Sequence, residues 1–298
     1  MDTTTGSVPA APGTGHKNIE LPGVSLHILE SGTGTPLLLL HGVPQDSSSF
    51  KALIPTFART HRVIAPDLRG FGQSSMPTNG YSLEVQIADL INLLDALDMP
   101  RTRIIGHDLG ALFAILLCLK HPERVISLVT LSIPHPFLRF NIRFLPLFRA
   151  AWFEPVLATP GLATLLMGRG NQPLARFMFS HYAQDSYSWN PQIIEYYLEL
   201  LRRPGRASAL GSVVRSAVLP TFIKIMSGAY LTQRLSTPTL VAVGEEDSTV
   251  PFSLLEGFES HADAMELLSI PGASHFVLDE QPELVLAAAQ EFFAKAGH

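Results

Sequence analysis

The sequence predicts an α/β fold built on a doubly wound, mostly parallel sheet, and three observations carry that expectation. Short continuous apolar runs such as residues 36–40 read as strands buried on both faces, as a parallel sheet demands. These runs alternate with stretches whose apolar residues recur at helical spacing. From about Pro134 to Ile225 the alternation stops and aromatic, leucine-rich helical pieces take over, so a helical unit interrupts the sheet-forming chain.

Residues 1–17 are rich in Thr, Gly and Pro and lack the basic start and apolar block of a signal peptide; they read as a disordered leader. Residues 24–29 alternate apolar and polar, as a half-buried strand does. Residues 36–40 end in His41-Gly42-Val43-Pro44, and residues 62–65 form another strand candidate ending at Pro66-Asp67. Leu83, Ile87, Leu90, Ile91, Leu94 and Leu97 define an amphipathic helix behind Ser82, a residue type suited to the N-cap. Strands are expected at 101–105, 125–131, 239–243 and 265–270, a helix-like stretch at 251–260 and a closing helix at 283–294. The resulting organisation is a core of residues 18–133 and 226–298, with 134–225 as a helical cap over the carboxyl ends of the strands.

The 298 residues, 46% of them hydrophobic and 16% charged, suffice for one large core carrying an insertion. The net charge of −5, with no basic run, argues against a nucleic-acid partner. The single cysteine, Cys118, lies in the apolar run 111–119 and reads as a core thiol; with no disulfide framework the chain suits a reducing compartment, and the cytoplasm is the expected location. That run is also the longest uninterrupted apolar one, well short of the ~20 residues of a membrane span, so no span is expected. Arg139, Arg143 and Arg149 lie among Phe137, Phe140, Phe144 and Phe148; an apolar lid facing an active site is favoured over a membrane-surface patch. The histidines lack ligand-type spacing, so no metal is expected, and no other cofactor is implied.

The chemistry concentrates at Gly106-His107-Asp108-Leu109-Gly110, which follows a strand and precedes the apolar helical stretch 111–120. A strand, a sharp glycine-flanked turn and a helix resemble the nucleophile elbow of the α/β-hydrolases, G-x-S-x-G, with aspartate in place of serine. That exchange matters. An ordinary aspartate titrates near ~3.9 and is a nucleophile at neutral pH without a base. Attack on a carboxylic ester would give a mixed anhydride, a poor intermediate. Attack on an sp³ carbon bearing a strained or stable leaving group gives an alkyl ester that water can cleave. An Asp before a helix is also a common cap, the competing role for Asp108.

Four motifs extend the resemblance over roughly residues 18–296: His41-Gly42-Val43-Pro44, Asp67-Leu68-Arg69-Gly70-Phe71-Gly72, the Asp108 elbow, and the pair Gly244-Glu245-Glu246-Asp247 and Gly272-Ala273-Ser274-His275. Together they resemble the epoxide hydrolase and dehalogenase branch of the α/β-hydrolase superfamily. The resemblance implies a helical cap inserted after the sixth strand. It further implies Asp108 as nucleophile, His275 as the base that activates water, Asp247 as its orienter (Glu245 or Glu246 being rivals), and the backbone N–H groups of Val43 and Leu109 as oxyanion hole. His41, Asp67 and Arg69 read as braces of the loops, and His107 has no evident chemical role.

The leaving-group machinery of each relative is altered. Epoxide hydrolases of this kind protonate the ring oxygen with two cap tyrosines. Counting back from Pro160-Gly161 lands near Phe153, beside Trp152, and the second position falls at Val213-Val214-Arg215. Haloalkane dehalogenases commonly use a Trp after the nucleophile and an Asn after His-Gly, where this chain has Leu109 and Val43. Fluoroacetate dehalogenases place arginines where it has Leu109 and Leu112. Remaining cap donors are Trp152, His181, Tyr182, Tyr187, Tyr196, Tyr197 and Tyr230, with His181-Tyr182 the first candidates and Trp152 a candidate halide donor. Few charges lie near them, which suits a small, apolar, uncharged organic substrate with water as co-substrate. The leading expectation is a cofactor-free epoxide-opening hydrolase. Its rivals are a dehalogenase, and a fold repurposed for cyclase, isomerase or ligand-binding work. The aromatic cap surface is a candidate homodimer contact.

Overall fold

The computed structural model describes residues 13–142, 145–184 and 191–297. Arg143, Phe144, Tyr187 and the leader residues 1–12 lie outside the described residues. Among those described, eight strands form one sheet: β1 (Gly15–Leu21), β2 (Val24–Ser31), β3 (Thr35–Leu40), β4 (His61–Pro66), β5 (Thr102–His107), β6 (Val125–Leu131), β7 (Thr239–Gly244) and β8 (Met265–Ile270). Their order is β1-β2-β4-β3-β5-β6-β7-β8. The β1–β2 and β2–β4 pairings are antiparallel and all later ones parallel. The sheet is thus the mostly parallel one the sequence predicts.

The helices are α1 (Ile54–Phe57), α2 (Leu83–Ala96), α3 (Leu109–Lys120), α4 (Leu145–Ala150), α5 (Glu154–Ala158), α6 (Leu162–Met167), α7 (Pro173–His181), α8 (Pro191–Arg202), α9 (Arg206–Val213), α10 (Leu219–Met226), α11 (Val277–Glu280) and α12 (Pro282–Lys295). Those from α4 to α10 all lie between β6 and β7, where the sequence places its helical unit.

β3 shows why the fold forms. Its side chains alternate faces, as the period of two dictates. Leu38 and Leu40 join the apolar cluster that holds α2 and α3; Leu37 and Leu39 join the one that holds α1 and α12. All four are fully buried, and each contributes about 1.5–3 kcal/mol by leaving water. α3 is apolar on every side because it is enclosed, buried from Leu109 to Cys118.

Two expectations need correction, and a third, the absence of a membrane span, is not confirmed. β1 begins at Gly15, so residues 15–17 of the expected leader are strand, paired in register with β2 from Gly15–Glu30 to Leu21–Val24. The pattern missed it because β1 is an edge strand, mostly exposed, whose alternation has no buried face to report. Residues 251–260 hold two short 3-10 turns, Phe252–Leu255 and Phe258–His261, rather than one helix; Gly257, with φ 88°, breaks the run. Finally, one helical stretch, Arg206–Met226, is long and apolar enough by length and composition to cross a membrane, although no single apolar run is. In this fold it spans α9, a π-helical turn and α10, and packs against α5 and α6.

The topology sets the site. β3 and β5 are parallel neighbours, with Leu40 paired to Gly106. The loop after β3 and the turn after β5 therefore leave the same edge of the sheet side by side. The loops after β7 and β8 leave that edge too, since these strands run parallel. The carboxyl ends of parallel strands, beside a reversal of strand order, are where such sheets gather ligand-binding groups. Gly110 lets α3 seat tightly here, because a Cβ at this position would sit 2.2 Å from the Leu40 carbonyl oxygen. Gly110→Ala is expected to destabilise the protein by about 1–3 kcal/mol, the cost of overpacking, read as a lower urea midpoint at unchanged slope; an unchanged midpoint would refute this account of the turn.

Candidate active site

Asp108 occupies the N-cap position of α3 with φ 47° and ψ −116°, a sparsely populated backbone state for a residue with a side chain. Its side chain makes no cap hydrogen bond, so the competing helix-cap role does not describe it. Instead Asp108 Oδ2 accepts the Val43 N–H at 2.8 Å. The turn is fixed by the Asp108 N–H, which donates to Leu131 O at 3.0 Å, and by the Leu112 N–H, which donates to Asp108 O at 3.0 Å. Gly42 makes the approach from β3 feasible: a Cβ there would lie 2.6 Å from Asp108 Cβ. Leu109, the first residue of α3, is buried.

His275 Nε2 faces Asp108 Oδ1 across 3.8 Å, too long for a hydrogen bond. On its other side His275 Nδ1–H donates to Asp247 Oδ2 at 3.0 Å and lies 2.8 Å from Thr249 Oγ1. Asp247 is buried, and its Oδ1 accepts the Thr249 N–H at 2.8 Å, the Thr249 hydroxyl at 2.6 Å and the Val250 N–H at 3.0 Å. Glu245 and Glu246, its sequence rivals, are exposed. The structure thus brings Asp108, His275, Asp247 and Val43 together.

The electrostatics follow from these contacts. Burial alone would push Asp247 up, but the His275 charge and hydrogen bond, with the Thr249 and Val250 donors, outweigh it and hold Asp247 down at about 2. Burial likewise pushes His275 down, and the charges of Asp247 and Asp108 overcome it, lifting the imidazole to about 9. The structure also gives His107 a role. Its Nε2–H donates to the His275 carbonyl at 2.8 Å, anchoring the loop that carries the imidazole. Burial first, and then the His275 charge, drive His107 down to about 4, so it acts as a neutral donor.

The braces also fall into place. Asp67 accepts the Ser47 N–H at 2.9 Å and the Gln73 N–H at 2.7 Å and pairs with His27 at 2.8 Å. His41 Nε2 accepts the Leu68 N–H at 3.0 Å, and Arg69 grips Asp89 through two contacts of 2.6 and 2.7 Å. Glu280 accepts the Ser274 N–H at 2.6 Å and the Gln184 N–H at 2.7 Å, joining the His275 loop to the helical insertion.

The insertion sorts the remaining candidates. Tyr182 is buried; its ring meets His275 edge-on at 6.4 Å and its carbonyl accepts the His275 N–H at 3.1 Å. Burial, then the nearby Glu154, push its hydroxyl up to about 12, so it keeps its proton. Phe153 is buried against Tyr182 at 5.8 Å. His181 is exposed and stacked on Phe177, and Trp152 is half exposed and edge-on to Phe177. Among the described residues no hydrogen bond or ring contact joins either to Asp108 or His275. Tyr196 donates to Asp46 Oδ2 at 2.7 Å, and Tyr197 accepts from Gln45 at 3.4 Å, placing both in a separate polar network. Glu154, the residue after Phe153, is half-buried with its Oε2 closed to solvent and, among the described residues, without a hydrogen-bond partner.

The sequence matches the alpha/beta hydrolase fold family over residues 35–282, and the chain belongs to that family. It is similar to epoxide hydrolase 4 of Mus musculus, with 28% identity over 276 residues, 88% of this chain and 74% of that protein. It is similar to a fluoroacetate dehalogenase of Burkholderia sp, with 27% identity over 290 residues and 93% of each chain. A solved structure from Pseudomonas aeruginosa superposes with a TM-score of 0.80 at 27% identity, over 97% of this chain and 98% of that one. The protein is accordingly an epoxide hydrolase-like α/β-hydrolase.

The buried Asp247–His275 pair carries a direct expectation. In Asp247→Asn the largest attraction that raises His275 is gone while its burial and the weaker pull of Asp108 and Glu280 remain, so the imidazole should titrate below about 9, toward the ordinary ~6.5. Histidine ring resonances followed by NMR against pH check this; an unmoved midpoint would contradict the assignment of Asp247 as the partner.

Proposed function

We propose that the chain is a cofactor-free hydrolase that opens an epoxide, or a similar electrophilic sp³ carbon, through an alkyl ester on Asp108. The observation that carries the reading is the division of labour between the two Asp108 oxygens. Oδ2 is held by the Val43 N–H at 2.8 Å, while Oδ1 faces His275 across 3.8 Å. The free oxygen attacks the substrate carbon as the carbon–oxygen bond breaks. The held oxygen becomes the ester carbonyl, already on an N–H donor that stabilises the charge formed when water adds.

Water then attacks the ester carbon, and His275 Nε2 takes its proton. In the free enzyme His275 is raised partly by the Asp108 charge. Esterification removes that charge, so the imidazole becomes less basic when it must be neutral to act. Asp247 keeps its Nδ1–H oriented and stabilises the imidazolium. Collapse of the tetrahedral species expels the diol oxygen, which takes a proton from His275. The helical insertion serves as the cap, a homodimer contact at its aromatic face is part of the same reading, and the substrate is small, organic and apolar.

The similarity to a fluoroacetate dehalogenase supports a second reading, carbon–halogen cleavage by the same cycle. Ion chromatography of released halide separates the two. An epoxide hydrolase gives diol and no halide.

Two results are expected. Multiple turnover in ¹⁸O-water, followed by peptide mass spectrometry, should place label in Asp108, since the attacking oxygen enters that carboxylate. His275→Ala should slow ester hydrolysis by about 10²–10⁴-fold and accumulate an Asp108 adduct of substrate mass. Unlabelled Asp108 after many turnovers would sink the ester cycle.

A further inference from the structure

Opening an epoxide by a carboxylate leaves an oxyanion that needs a proton, and the tyrosines that related enzymes use are missing at both corresponding positions. We propose that Glu154 supplies that proton, as a neutral carboxylic acid facing the proposed nucleophile from the first turn of α5, with Tyr182 beside it. This rests on the Asp108 reading above and deepens it, since it names the donor and selects the leaving group.

Two features of the geometry, and the electrostatics beside them, support this role for Glu154. Its Oε2 is closed to solvent and has no hydrogen-bond partner among the described residues, an arrangement that costs free energy unless a ligand completes it. It follows Phe153, whose ring packs on Tyr182, which in turn packs on His275. Its charge acts on Tyr182, and the Asp108 charge acts on it, so the four groups form one cluster.

The protonation state follows from the surroundings. Burial, and then the Asp108 carboxylate, push Glu154 up to about 8, so at neutral pH it carries its proton. The cation of the cluster, His275, is engaged by Asp247 and faces Asp108. Of the basic groups on the elements packed against α5, Arg215 donates to Ala158 O at the far end of the helix, Arg206 donates to Phe71 O, and Lys224 pairs with Glu84. When Asp108 is alkylated its negative charge disappears, and Glu154 loses one of the two influences that hold its proton. The donor becomes more acidic in the step that uses it.

The proton balance closes. Asp108 Oδ1 bonds to the ring carbon, the carbon–oxygen bond breaks, and its electron pair takes the proton from Glu154 Oε2, leaving a glutamate ion. Ester hydrolysis restores the Asp108 carboxylate and releases one net proton, which returns Glu154 to the acid. A halide leaving group needs no proton. A carboxylate-bearing substrate would meet Asp108 and Glu154 with neither of the arginines whose places Leu109 and Leu112 hold. The substrate class is therefore an uncharged epoxide.

The test uses His275→Ala as parent, in which alkylation stops at the adduct and intact-mass spectrometry follows its rate. Glu154→Gln in that parent should slow alkylation by a terminal aryl or alkyl epoxide by about 10²–10⁴-fold, while alkylation by a primary alkyl bromide, whose leaving group takes no proton, stays unchanged. With epoxide the parent rate should fall above pH about 8, as the donor ionises, and the Glu154→Gln rate should be flat. If Glu154→Gln leaves the epoxide rate intact, or slows epoxide and bromide alike, the residue is no acid and the inference is overturned while the Asp108 reading stands. If the bromide is inert, the pH profile decides: the same fall above pH about 8 with and without Glu154 overturns it. An absence of adduct from every epoxide in the parent removes both.

Discussion

The site depends on a single backbone constraint, the strained turn at Asp108. A residue held there with positive φ costs of order 1–3 kcal/mol, and the strain persists because the surroundings over-determine it. The Leu131 carbonyl holds the Asp108 N–H, α3 starts immediately after it, and the β3 loop passes within Val43 hydrogen-bond reach. Relaxation to an ordinary helix cap would turn the carboxylate onto the N-terminus of α3 and away from Val43. The strain therefore presents one carboxylate oxygen and occupies the other. Everything assigned to His275, Asp247 and Glu154 is defined relative to that orientation.

The second theme is that three acids withdrawn from water to different degrees, Asp247 and Asp46 buried and Glu154 half-buried with its Oε2 enclosed, do not share one protonation state. Asp247 stays ionised because three donors from Thr249 and Val250 and the imidazolium surround it. Asp46, also buried, donors notwithstanding, is pushed up, by burial first and then by the Asp67 charge. Glu154 has a neighbouring carboxylate and, among the described residues, no hydrogen-bond partner on its Oε2, and holds its proton. The sign of the neighbouring charge, imidazolium beside Asp247 and carboxylate beside Asp46 and Glu154, decides which carboxyl is held down and which is pushed up.

Much of this was legible in the residues. Leu37 to Leu40 announced a doubly buried strand, the glycine-flanked Asp108 announced the turn, and the order Asp108, Asp247, His275 fitted their meeting at one sheet edge. Less was legible where the signal depends on what lies opposite. β1 lacks a buried face, so its sequence carries no alternation. The fate of His107 could not be read, because its partner is a backbone carbonyl 168 positions away. In the insertion, Trp152 and Phe153 were singled out together, yet Trp152 is half exposed on Phe177 and Phe153 is buried against Tyr182. A glutamate in an apolar segment is informative only once its burial is known, since the same residue in water is a solvated charge.

The contacts between the His275 loop and the insertion have a dynamic consequence. The His275 N–H ends on Tyr182 O, and Glu280 ties Ser274 to Gln184. Any hinge motion that parts the insertion from the sheet to admit a ligand must stretch these ties, and with them the seat of the imidazole. The same few hydrogen bonds that seat the imidazole therefore also fasten the insertion to the sheet.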